Sequence, residues 1–191
     1  MSRPSTKRSA GSRKWPGGPE PVLSLARIRS LLLNVGIVVV VFLAASAFQS
    51  RNMLSADGEA APALQGMTLE GEPYDLAQQG ERPALVYFFA PWCRICGASA
   101  DNLVRLRRWR DVNELEIVAV ALDWQSAAEV REYVERHGLN VKVVLAGADV
   151  ARDWQIQAYP SYYVLDDRHR VLRRDIGYST QLGLWLRAWT V

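Results

Sequence analysis

Cys93 and Cys96 are the only cysteines in the 191-residue chain, within Ala90-Pro91-Trp92-Cys93-Arg94-Ile95-Cys96-Gly97. Two thiols at this spacing can close a reversible disulfide, grip a soft metal ion or form an inert cross-link. An inert cross-link is poorly motivated, because closing so short a loop removes little chain entropy. Zinc calls for about four ligands. Only His137 and His169 remain to supply them, far apart and without the usual histidine spacing. Two thiolates alone can hold Cu(I), so a copper-binding module for sequestration or delivery stays open as the alternative. Redox exchange is the better account. It needs no metal and no cofactor, and a Cys-x-x-Cys pair between a strand and a helix is the arrangement such exchange uses.

The flanking segments explain why. Leu85–Phe89 is a continuous apolar run, as expected of a strand buried on both faces. Gly97–Trp109 has apolar residues at near-helical spacing. The cysteines therefore fall at a helix N-terminus, where unpaired amides and the positive dipole end favour an anion. Cys93 is expected to have a lowered pKa and to be the attacking thiolate, with Arg94 adding positive charge. Cys96 lies one turn further on and is expected to resolve the mixed disulfide.

The remaining pattern alternates. Leu64–Leu69 and Pro73–Leu76 flank Glu70-Gly71 as a short hairpin. Leu115–Leu122 and Val141–Ala146 read as strands. Between them, Ser126 and Glu129 form a capping-box signature. They open a helix with Val130, Tyr133, Val134 and His137 on one face, closed by Gly138. Asp149–Gln155 reads as a helical turn. Ser161–Leu165 and Val171–Asp175 read as an antiparallel hairpin. A last helix, capped by Ser179, is expected to bury Leu182, Trp185, Leu186 and Trp189. The result is an α/β fold: a mixed sheet with helices on both faces. Asp123, closing the second core strand, reads as a solvated carboxylate. Arg105, Arg107, Arg108 and Arg110 read as a solvated helix face.

Charge is split along the chain. Residues 1–51 carry a net +7 and residues 52–191 a net −4. The acidic balance of the folded part excludes a nucleic-acid-binding domain. Residues 1–30 read as a disordered basic tail in the cytoplasm. Residues 31–48, an uncharged run from Leu31 to Phe48, read as one N-terminal transmembrane helix of roughly 27 Å. Arg27 and Arg29 precede it, which places the rest of the chain outside the cytoplasm. Ala45-Ser46-Ala47 would suit a signal peptidase, but the long N-terminal extension favours an uncleaved anchor. Residues 49–63 read as a linker and residues 64–191 as the folded domain.

The stretch Tyr87-Phe88-Phe89-Ala90-Pro91-Trp92-Cys93-Arg94-Ile95-Cys96 resembles the active-site strand and W-C-x-x-C of the thioredoxin superfamily. Tyr159-Pro160-Ser161 is similar to that superfamily's cis-proline loop. An N-terminal anchor and a hairpin before the first core strand point to the TlpA-like branch, which includes ScsD-like proteins. The resemblance implies a thioredoxin-like fold over roughly residues 64–191 and a single-pass protein of the bacterial inner membrane. Its catalytic domain would face the periplasm and exchange disulfides with thiol- or disulfide-containing substrate proteins. A membrane redox partner would reset the pair. The resemblance also implies that Trp92 is an exposed lip, with core packing as its alternative. Tyr159 and Pro160 would lie against the disulfide, the backbone of Tyr159 pairing with an extended substrate. Two positions depart from the pattern. Tyr87 stands where thioredoxins carry an acid, and Ser99 where reductive cytochrome-maturation proteins carry Glu. No peroxiredoxin-like cysteine motif is present.

Overall fold

All six positions of β3 (Ala84–Phe89) are buried, because the strand is covered on both faces. It pairs in parallel with β4 (Glu116–Ala121), which pairs in parallel with β5 (Lys142–Leu145). On its other side it runs antiparallel to β6 (Ser161–Leu165), and β6 is followed by the edge strand β7 (Val171–Ile176). The hairpin of β1 (Gln65–Thr68) and β2 (Pro73–Asp75) completes the opposite edge through β1–β5 pairing. The sheet order is β2-β1-β5-β4-β3-β6-β7. This computed structural model describes residues 25–50 and 53–189.

Strand alternation sorts the core into two layers. Leu85, Tyr87 and Phe89 meet α2 (Arg94–Trp109), α3 (Ala127–His137) and α5 (Gln181–Trp189) on one face. Ala84, Val86 and Phe88 meet Val150 and Trp154, from and just after α4 (Ala148–Asp153), on the other. Met53, Leu64 and Tyr74 close that second layer. Each large buried side chain contributes about 1.5–3 kcal/mol over exposure, so β3 is a firmly packed support for the cysteines. The sole buried carboxylate among the described residues, Glu116, accepts a 2.8 Å ion pair from Arg82, and the Tyr74 hydroxyl donates to it at 3.5 Å.

The capping expectations hold at α3. The Ser126 side chain accepts from the Glu129 amide, and Gly138 closes the helix at φ 57°. They fail at α5. Thr180 caps it, its Oγ1 accepting from the Gly183 amide at 3.1 Å. Ser179 is instead buried, its carbonyl accepting from Asn102 Nδ2 at 2.9 Å. The buried face is also different. Leu184 and Ala188 are covered, whereas Leu182, Trp185, Leu186 and Trp189 are exposed to 64%, 36%, 52% and 61%. Leu184 and Ala188 lie one turn apart with modest volume, and that narrow stripe is what packs against α2.

The chain divides into two units, residues 1–43 and 44–191. The helix α1 (Leu25–Ser50) covers the segment expected to cross the membrane. Its described side chains between Arg27 and Val41 are exposed. Among the described residues, no helix is long and apolar enough to cross a membrane. Most of the expected basic tail, residues 1–24, lies outside the described residues. The stretch read as a linker packs onto the domain from Met53 onward. Arg174 Nη1 donates to the Met53 carbonyl at 2.8 Å, and the Gly58 amide to the Val171 carbonyl at 3.1 Å.

Candidate active site

Cys93 leaves the end of β3 through Ala90–Trp92 and forms the N-cap of α2, with extended backbone angles φ −79° and ψ 107°. Its Sγ accepts the Cys96 amide at 3.2 Å. The sulfur thus takes the capping place usually held by an oxygen, and the helix begins at Arg94, with the cysteines at its N-terminus as expected. Cys93 and Cys96 are joined as a disulfide, with Cα atoms 5.2 Å apart. The two halves differ in access. Cys93 keeps 9% exposure and Cys96 none.

The disulfide opens onto a groove of about 850 Å³, lined by Trp92, Cys93, Arg94, Ile95, Ala98, Tyr159 and Tyr178. All of the sequence-derived site residues except Cys96 and Pro160 line it directly. Pro160 is buried beneath, following a cis Tyr159–Pro160 bond. Trp92 is 59% exposed, so it is not packed in the core. Its ring meets Tyr159 edge-on at 5.8 Å. Asp123 holds that ring in place, its carbonyl and Oδ2 accepting from Trp92 Nε1 at 3.1 and 3.2 Å. Asp123 adopts a left-handed φ of 51°, a conformation short polar residues tolerate. It is exposed, as expected, but it is bonded to Trp92 as well as solvated. Burial, aided by the nearby Asp123 charge, raises the Tyr159 hydroxyl pKa.

Behind the disulfide the environment is apolar and aromatic. Tyr87 Oη donates to the Cys96 carbonyl at 2.9 Å. Its ring stacks on Phe89 and tilts against Tyr162 at 5.1 Å. Burial drives the Tyr87 hydroxyl pKa well up, with Tyr133 and Tyr162 adding to the effect. Ser99 is fully buried one turn after Cys96. His137, expected only to end a helix, also covers the active-site helix. A Cβ at Gly97 would sit 2.5 Å from its Cε1.

Sequence reasoning missed Tyr178 and the closeness of His137 to the active-site helix. Tyr178 is an exposed aromatic just before the last helix, and no local pattern ties it to position 93. Among the described residues no group of three or more His, Cys, Asp or Glu is placed to hold a metal ion.

The Redoxin family model matches residues 56–182. The chain belongs to the Redoxin family. This Redoxin is 24% identical over 127 residues to the thioredoxin-like protein YneN of Bacillus subtilis, covering 65% of this chain and 74% of the relative. A thiol:disulfide interchange protein of the thioredoxin family from Chlorobium tepidum superimposes with a TM-score of 0.64. It is 22% identical and covers 71% of this chain and 97% of its own. A secreted Mycobacterium tuberculosis disulfide oxidoreductase gives a TM-score of 0.60 at 19% identity, covering 67% and 96%. These likenesses establish the thioredoxin fold. With its disulfide-bonded Cys93–Cys96 pair at a helix N-terminus, this Redoxin is a thiol-disulfide oxidoreductase.

Proposed function

We propose that this Redoxin is a membrane-anchored, extracytoplasmic thiol-disulfide oxidoreductase of the TlpA-like kind, acting on substrate proteins through its groove. The observation that carries the assignment of roles is the unequal access of the two sulfurs. When the pair is reduced, the Cys93 thiolate is favoured by the α2 N-terminus and the Cys96 amide. It attacks a substrate disulfide, forming a Cys93–substrate bond and releasing one substrate thiolate. Cys96 then attacks Cys93 Sγ, the second substrate sulfur departs as a thiol, and the Cys93–Cys96 disulfide remains. The oxidised pair runs the same exchange in reverse. Two electrons pass at each cycle, so a membrane dithiol or disulfide partner must reset the pair.

Trp92, Tyr159 and Pro160 form the docking side of the groove. An extended substrate segment lies along the Tyr159 backbone, adding main-chain hydrogen bonds in the manner of an added strand. The uncharged run Leu31–Phe48, carried within α1 and preceded by Arg27 and Arg29, supports the anchor and its orientation. The secreted character of the M. tuberculosis protein of similar fold agrees with that side of the membrane.

The full-length protein in detergent micelles tests the roles against a disulfide-bonded reporter peptide. Cys93→Ser abolishes exchange, and Cys96→Ser accumulates a mixed disulfide visible on a non-reducing gel. Exchange that survives Cys93→Ser overturns the mechanism. Carbonate extraction and protease protection of membranes bearing the full chain test the anchor. A protein released by carbonate, or protected on the cytoplasmic side, overturns it.

A further inference from the structure

A cluster of hydroxyls lies in the core layer that holds Cys96. Ser99, Tyr133 and Tyr162 are buried to 2% exposure or less. Ser99 Oγ, Tyr133 Oη and Tyr162 Oη are all without a hydrogen-bond partner. Three orphaned hydroxyls together are unusual, since leaving one such group unsatisfied costs about as much as a typical hydrogen bond provides. With Tyr87 they converge from four elements. Tyr87 comes from β3, Ser99 from α2, Tyr133 from α3 and Tyr162 from β6. Tyr133 Oη lies against the Tyr87 hydroxyl and Ser99 Oγ against that of Tyr162, yet neither contact closes to hydrogen-bond geometry. Tyr87 Oη is already committed to the Cys96 carbonyl, which ties the cluster to the resolving cysteine.

The charged groups around this cluster stay at its rim. Asp101 faces Tyr133 from α2, and the Asp175–Arg187 ion pair from β7 and α5 faces Tyr162. His137 rests on Tyr133 and over Gly97 from α3. Arg94 heads α2 beside Cys93. No carboxylate stands among the four hydroxyls.

We propose that Ser99, Tyr133 and Tyr162, anchored by Tyr87, form a neutral hydrogen-bonding nest that stabilises the Cys96 thiolate and passes on its proton during resolution. The inference rests on the roles assigned to Cys93 and Cys96 above. In that step the bond between Cys93 Sγ and the substrate sulfur breaks and the Cys93–Cys96 bond forms. The electron pair of the broken bond leaves with the substrate sulfur. The proton given up by Cys96 moves through the hydroxyls to water, and the departing thiolate takes up an equivalent proton. No outside oxidant or reductant takes part. Tyr87, held on the Cys96 carbonyl, is a positioning group for the other three. The O–H bonds of Ser99, Tyr133 and Tyr162 are spent on an anion that exists only when the disulfide is open, which explains why these three lack partners in the oxidised state.

The test follows the reduced full-length protein in detergent with dithionitrobenzoate as the probe. A fast phase forms the Cys93 mixed disulfide and releases one thionitrobenzoate. A second phase releases another as Cys96 attacks. The pH midpoint of the second phase reads the Cys96 thiol. Ser99→Ala, Tyr133→Phe and Tyr162→Phe are compared with the unaltered chain. Each keeps the shape of the core, so folding is retained and melting temperature checks it. The expected result is a second-phase midpoint raised by about one to two pH units in one or more of the three, with the fast phase unchanged. A midpoint unmoved in all three overturns the proposal. So does a midpoint that moves only with His137→Asn, which would make the imidazole the proton acceptor. Loss of the fast phase in the unaltered chain would instead sink the role of Cys93, so the two failures are distinguishable.

Discussion

Gly97 is predicted to change the sign of its effect on stability according to what stands at position 137. Gly97 lies in the first turn of α2, where alanine is favoured over glycine by about 1 kcal/mol. Its Cβ, however, would meet His137 Cε1 at 2.5 Å and Nε2 at 2.7 Å. Ordinary contact needs about 3.5 Å or more, so the imidazole must retreat by about 1 Å. It is backed by the Tyr133 ring, 4.6 Å away between centroids, and forcing such a shift costs about 1–3 kcal/mol. Gly97→Ala in the unaltered protein is therefore expected to be neutral or destabilising by up to about 2 kcal/mol. In a His137→Ala background the obstruction is gone, and the same change is expected to stabilise by about 1 kcal/mol. Urea denaturation of the four proteins of this cycle, with equal m-values, gives the coupling directly. The same stabilisation in both backgrounds would refute the placement of His137 over the active-site helix.

Three other expectations follow from named contacts. Asp123→Ala removes one of the two Trp92 Nε1 acceptors, leaving the main-chain carbonyl, and loosens the ring. It should raise KM for a peptide substrate several-fold while the Cys93 thiol reacts unchanged with a small disulfide, as steady-state kinetics with both substrates would read. Arg82→Ala leaves the buried Glu116 with only the long Tyr74 contact, and should cost about 2–3 kcal/mol in chemical denaturation. Burial, partly offset by Arg187, holds the Asp175 carboxyl above its ordinary 3.8. Just above that pH the native protein retains a proton the unfolded chain has lost. The contribution of Asp175 to stability is thus greatest at low pH and declines as pH rises through the folded pKa. Melting temperatures of the protein and of Asp175→Asn, compared from pH 3 to pH 7, should show the decline in the former and its absence in the latter.

Features that depend on neighbours along the chain were legible without the fold. The Cys93–Cys96 spacing, the wholly apolar β3 and the Ser126 and Gly138 caps all follow from periodicity and local hydrogen bonding, and so does the order of strands and helices. The Tyr159-Pro160 loop was legible through resemblance alone. What the tertiary structure decided involves partners far apart. Trp92 and Asp123 are 31 positions apart, and Gly97 and His137 are 40 apart. Whether Asp123 is merely solvated or also clamps the Trp92 ring depends on where β4 ends relative to β3. The last helix shows the same limit most sharply. Its sequence carries a broad apolar stripe, yet α2 offers a contact only wide enough for Leu184 and Ala188. In sequence, Tyr87 and Ser99 read as departures from a family pattern, and Tyr133 and Tyr162 as ordinary core residues. They become a cluster only because two strands and two helices converge in the core layer that holds Cys96, and no pattern of period 2 or 3.6 encodes such a meeting.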